Sequence, residues 1–117
     1  MFGTPLPALW SAAHYKAAFL TVVFTNRSYS TGTSGLKRTY PGGVAARTGN
    51  YEGGLLDPAP DFGKLAESVN GYGETVREPE ALAGALRRGL DCVRQGSPAI
   101  ISAYLPTVVE EMNLAKS

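Results

Sequence analysis

The sequence predicts an α/β fold, a three-layer parallel sheet with helices on both faces that lacks its N-terminal strand. Three observations carry this. An apolar run of strand length, residues 18–24, shows no alternation, the pattern of a strand covered on both faces in a parallel sheet, and residues 99–105 read as another mostly apolar strand. Helical periods are interleaved with them in the order that builds crossover units. The chain also opens on a helical pattern, where a sheet of this kind normally opens on a strand, so the preceding strand and its turn are expected to be missing.

Each element follows from its residues. Leu6, Leu9, Trp10, Ala13 and Ala17 recur at spacings of three and four and predict a short amphipathic helix with Trp10 on its core face. Pro5 and Pro7 fit only its first turn. His14 falls on or near the same face and, with no Cys or carboxylate pair nearby, reads as structural rather than as a metal ligand. The strand over residues 18–24 is expected to be central. Between Asn26 and Pro60 lie seven of the 14 glycines, with Ser, Thr and Tyr interleaved and no sustained period. That stretch, about residues 26–60, reads as a long Gly-rich loop, either a functional covering segment or a flexible connection.

Order resumes at Asp61, an expected N-cap, followed by Phe62, Leu65, Ala66 and Val69 at helical spacing, with Gly71 expected to close the helix in a left-handed conformation. Glu74-Thr75-Val76 suits a short strand. Pro79 opens a second helix whose stripe is Leu82, Ala85, Leu86, Leu90 and Val93, with Cys92 beside it as a packed thiol and Arg87, Arg88 and Arg94 off it, the adjacent Arg87 and Arg88 reading as a solvated face rather than a phosphate site. Gly96 is its expected stop. The run over residues 99–105 ends at Pro106, which cannot continue a central ladder, and residues 108–114 suit a marginal final helix.

Composition narrows the function classes. A chain of 117 residues is the size of one small domain, and 11 basic against 10 acidic side chains leave a net charge of +1. No general attraction to nucleic acid or to an anionic membrane is built in. The longest near-apolar stretch, residues 17–24, is too short to span a bilayer, and the N-terminus lacks the charged-then-apolar order of a secretory signal. Cys92 is the single cysteine, which rules out a disulfide framework and makes the cytoplasm the default expectation.

Asn26 draws attention because it ends an apolar strand, and ligands of open α/β sheets bind at the carboxyl ends of strands. An asparagine there equally suits a turn that satisfies local backbone groups. Asp61 with Glu67, and Glu110 with Glu111, are acidic pairs that read as a cap and as surface charge.

Three stretches, Phe2-Gly3-Thr4-Pro5-Leu6-Pro7-Ala8-Leu9-Trp10-Ser11-Ala12-Ala13, Leu20-Thr21-Val22-Val23-Phe24-Thr25-Asn26-Arg27-Ser28-Tyr29, and Asp61-Phe62-Gly63-Lys64-Leu65-Ala66-Glu67 with Gly71-Tyr72-Gly73-Glu74-Thr75-Val76, resemble the C-terminal domain of thiamine diphosphate-dependent enzymes. Acetolactate synthases and benzoylformate decarboxylases are the most similar in pattern. The likeness continues through Glu78-Pro79-Glu80-Ala81-Leu82 and Gly96-Ser97-Pro98-Ala99-Ile100, so it covers nearly the whole chain in order. The resemblance implies thiamine diphosphate and Mg2+ as cofactors, with Asn26, Ser28 and Tyr29 at the cofactor. Asn26 would give the metal a side-chain oxygen and Ser28 a backbone carbonyl. No catalytic residue is carried over. Thr25 stands where the family motif usually has a first asparagine. The Gly-Asp-Gly that begins the motif would fall immediately before Met1, so the family's metal-binding carboxylate is expected to be absent.

For a complete enzyme the resemblance implies decarboxylation of a 2-oxo acid, then protonation or carbon–carbon bond formation, with the cofactor as electron sink. It also implies a pyrimidine-binding domain or partner subunit that supplies an activating glutamate, and a homo-oligomer. This chain alone is not expected to catalyse. The alternative is a noncatalytic α/β interaction module or pseudoenzyme fragment completed by a partner chain.

Overall fold

The computed structural model describes residues 5–107. Its elements are α1 (Pro5–His14), β1 (Leu20–Thr25), α2 (Ser30–Thr39), α3 (Val44–Thr48), α4 (Phe62–Glu67), β2 (Tyr72–Val76), α5 (Pro79–Arg94) and β3 (Ala99–Tyr104). The expected helix over residues 108–114 lies outside the described residues. Among the described residues no helix is long and apolar enough to cross a membrane.

The described residues divide into two compact units. The first, built from residues up to Thr25 together with Asp61–Leu105, holds the sheet. The three strands are all parallel in the order β1-β3-β2. They start flush, since Leu20 and Tyr72 both pair with Ala99. Alternation along β3 sends Ile100 and Ile101 to opposite faces. Ile100 packs with Leu9 of α1 and Ala66 of α4, joined by Val23, Phe62, Leu65 and Val69. Ile101 packs with Val76 and with Ala85 of α5, joined by Leu20, Tyr72, Leu82 and Leu86. Helices thus cover both faces, and the three-layer α/β architecture stands as expected.

The strand expected to be central is not. β3 occupies the middle, and five of its six residues are buried. β1 lies at an edge, with Val22 38% and Phe24 68% exposed. A continuous apolar run marks a strand fit to be covered on both faces, but it does not say which strand of the sheet is flanked on both sides. Trp10 is a second correction, being 55% exposed and stacked on the His14 ring at 4.9 Å. Leu9 and Ala12 form the buried stripe of α1 instead.

The caps follow local chemistry. Asp61 accepts a hydrogen bond from the Lys64 N–H at 3.3 Å and so caps α4 as expected. The left-handed residue after α4 is Asn70 (φ 58°), not Gly71. Asparagine tolerates this region better than other residues with a Cβ. Gly71 is needed for another reason, because a Cβ there would lie 2.5 Å from the Pro98 carbonyl oxygen. Pro79 opens α5, and Gly96 (φ 88°) follows its C-cap, donating to the Val93 carbonyl at 2.9 Å. Leu90 departs from the expected stripe and is 41% exposed.

The second unit includes Asn26–Pro60. The stretch read as an irregular loop carries two helices, α2 and α3. Glycine, serine and threonine lower helix propensity, and neither helix has a buried residue, so no apolar stripe announces them. Lys37 of α2 lies 5.1 Å from the centre of the Tyr51 ring. Gly49 closes α3 in a left-handed conformation (φ 72°).

Candidate functional site

Asn26 follows the last residue of β1, and the chain turns there within three residues. The Ser28 N–H donates to Asn26 Oδ1 at 3.2 Å, an Asx-type turn. Arg27 between them has φ 54°, a left-handed conformation that costs a residue with a Cβ about 1–2 kcal/mol and persists only where surroundings enforce it. Two backbone bonds flank Ser28 and supply part of that enforcement. Leu56 N–H donates to the Arg27 carbonyl at 2.8 Å, and Tyr29 N–H donates to the Gly54 carbonyl at 2.9 Å. Ser28 is thereby bridged, antiparallel, to Leu55.

The structure thus brings Asn26 and Ser28 together and places Tyr29 beside them as the residue before α2. Asn26 Oδ1 accepts one bond and keeps a second lone pair. The Ser28 hydroxyl is buried with no hydrogen-bond partner among the described residues. Such a group marks a place where a further polar atom belongs. The Tyr29 ring is 53% exposed, and its side chain makes no capping bond to α2.

The turn leads directly into a shallow cleft of about 360 Å³ lined by Ser30, Thr31, Ser34, Gly35 and Arg38. Three hydroxyls and a guanidinium on one side of α2 are donors suited to phosphate or carboxylate oxygens. Sequence reasoning missed this group. The signal was available in the i, i+4, i+8 spacing of Ser30, Ser34 and Arg38, but only to a reader who placed a helix there.

The donor set defines what the turn can hold. One amide oxygen and one carbonyl are hard, neutral ligands suited to Mg2+. Among the described residues no group of three or more His, Cys, Asp or Glu is placed to hold a metal. A bare divalent ion would find little charge here, whereas one already carried by a diphosphate brings its own oxyanions. The residues therefore fit a metal–diphosphate complex better than a free ion.

In the sheet unit, the residues set aside as a solvated face are partly engaged. Arg88 Nη2 meets Glu74 Oε1 at 2.6 Å, Arg88 Nε reaches Glu74 Oε2 at 3.1 Å, and the Tyr72 hydroxyl donates to Glu74 Oε2. The Arg88 bonds hold the Glu74 carboxyl below its usual range, while burial and the neighbouring carboxylate raise Tyr72. Arg77, just after β2, lies over the Tyr104 ring at 4.1 Å. His14 is exposed and stacked, and Cys92 is a half-buried free thiol.

No solved structure matches the chain. The family described as thiamine pyrophosphate enzyme, C-terminal TPP binding domain, matches residues 1–103, which contain all three strands except Tyr104, together with the Asn26–Ser28 turn and α2. By that match the chain belongs to the C-terminal TPP-binding domain family of thiamine pyrophosphate enzymes.

Proposed function

We propose that this domain binds thiamine diphosphate as its Mg2+ complex, within a 2-oxo acid decarboxylase or carboligase resembling acetolactate synthase. The observation that carries the reading is the position of the Asn26–Ser28 turn, directly after β1 in a chain that matches the family over residues 1–103. Asn26 Oδ1 and the Ser28 carbonyl would give the metal two oxygens, with the remaining positions left to diphosphate oxygens and water. Tyr29 and the hydroxyl and guanidinium groups along α2 would face the phosphates. When bound, the cofactor supplies an electron sink for decarboxylation. This chain's part is to bind and orient it. Activation of the cofactor falls to a pyrimidine-binding domain or partner subunit in a cytoplasmic homo-oligomer.

Titration calorimetry of the chain with thiamine diphosphate and Mg2+ tests this. Saturable binding that requires Mg2+ is expected, and Asn26→Ala is expected to weaken it at least tenfold, about 1.4 kcal/mol. Mg2+ alone is expected to give no saturable heat, because the turn offers only neutral oxygens. A folded chain that does not bind would overturn the reading. It would favour a noncatalytic interaction module completed by a partner chain, which is supported by the exposed Val22 and Phe24 along β1.

A further inference from the structure

We propose that the cleft along α2 is an oxyanion site in its own right, which takes the diphosphate end of a ligand through Arg38 and needs neither metal nor an organic body to do so. The site lies wholly within the second unit. Ser30, Thr31, Ser34, Gly35 and Arg38 line it, so among the described residues it presents three hydroxyls, one guanidinium and no carboxylate. Ser30, Ser34 and Arg38 follow one another at intervals of four, which sets them in a row on one side of the helix. Helical side chains lean towards the N-terminus, so the long Arg38 side chain reaches back along that row. A volume of about 360 Å³ stands at the low end for a ligand pocket and suits an anionic group rather than a whole cofactor.

The cations of this unit are not equivalent. Lys37 lies over the Tyr51 ring at 5.1 Å, and Arg47 Nη1 donates to the Gly42 carbonyl at 3.3 Å. Arg38 is exposed in the cleft and makes no such contact among the described residues. Residues 26–51 carry Arg27, Lys37, Arg38 and Arg47 and not one Asp or Glu, a local excess that the chain's net charge of +1 conceals. A guanidinium offers paired N–H donors that match two oxygens at once, and a terminal phosphate has a third oxygen left for the hydroxyls, which a carboxylate lacks. Gly35 completes the cleft. A glycine inside a helix is unfavourable relative to alanine, yet a Cβ here would meet nothing within 4 Å, so the space it would fill is open cleft. The missing carbon leaves room for a bound group against the helix backbone.

That the ligand's organic end is thiamine rests on the reading given above; the oxyanion site does not. The probe is inorganic pyrophosphate, titrated calorimetrically into the full chain with EDTA present. Saturable binding is expected. Arg38→Gln is expected to weaken it roughly tenfold or more, and Arg38→Lys, which keeps the charge and loses the paired donors, by several-fold. Arg47→Gln removes an equal charge from the same unit outside the cleft and is expected to stay within about twofold of wild type. Gly35→Ala is expected to weaken pyrophosphate several-fold in a chain that still folds, because the added methyl group enters the cleft.

A folded wild-type chain with no saturable pyrophosphate binding would overturn the proposal. Equal losses in Arg38→Gln and Arg47→Gln would overturn it too, since the attraction would then belong to overall charge and not to the cleft. If Arg38→Gln fails to fold, Arg38→Lys and Gly35→Ala against Arg47→Gln decide by the same readout. A parallel titration with thiamine diphosphate and Mg2+ separates the two readings. Pyrophosphate binding without cofactor binding leaves the oxyanion site standing and sinks the cofactor reading. Cofactor binding that Arg38→Gln leaves unchanged, with no pyrophosphate binding, does the reverse.

Discussion

At Gly73 the fold depends on the absence of a single carbon atom. A Cβ there would lie 2.1 Å from the Gly63 carbonyl oxygen, because α4 crosses β2 backbone to backbone. Gly73→Ala is expected to destabilise the chain by roughly 3 kcal/mol or more, since neither partner can move without shifting a helix or a strand. Urea unfolding monitored by circular dichroism measures it. Sequence reading placed Gly63 in its helix but began the strand at Glu74, leaving Gly73 outside it, and gave neither glycine this role, because close approach is a property of two segments and not of one. The same limit applies at the site. Asn26 was legible from its place after an apolar run, and Thr25 from its departure from the family motif. Inside the sheet, the bond between the Thr25 and Ser102 hydroxyls was not, because nothing in a strand of small and apolar residues shows which distant hydroxyl its own will meet.

Among the elements, α2 shows how a helix escapes a reading based on apolar periodicity. It has no buried residue and carries two interior glycines, Gly32 and Gly35. A Cβ at Gly35 would meet nothing within 4 Å. Gly35→Ala is therefore expected to stabilise α2 by about 0.5–1 kcal/mol through helix propensity, read as slower amide exchange within residues 30–39. The β2–α5 clasp gives an element-scale pH effect. Arg88 lowers the Glu74 carboxyl from its ordinary value of 4.5, so the folded state holds the ionised form more tightly than the unfolded chain does. That contribution is present above the ordinary value and is lost as pH falls through the lower, folded one. Glu74→Gln is expected to cost stability at neutral pH and to cost progressively less on acidification below about 4.5, measured by thermal unfolding across pH. Asp61, Pro79 and Gly96 were legible as element boundaries because each acts through its own few neighbours.

For the whole molecule, the element types and order of the sheet unit were legible, but the lateral order of its strands was not, nor were α2 and α3. Hydropathy marks which strands are fit to be buried and says nothing of which lies between the others. The Ala99 N–H bonds the Phe19 carbonyl, and the Leu105 N–H bonds that of Thr25. In a parallel ladder this leaves Leu20, Val22 and Phe24 with their backbone groups turned to the outer edge of β1. Phe24→Lys is expected to leave stability within about 0.5 kcal/mol and to reduce self-association in sedimentation velocity, because Phe24 is 68% exposed at that edge. The strand order also bears on how the chain comes off the ribosome. Among the described residues β1 and β2 do not pair with each other, and each pairs with β3, whose first residue is Ala99. During synthesis β1 and β2 find their shared partner in this sheet once β3 has cleared the exit tunnel. Folding of this sheet therefore waits for β3, and a nascent chain arrested before Ala99 is expected to expose β1 and β2 without a strand partner to whatever chaperone waits at the tunnel mouth.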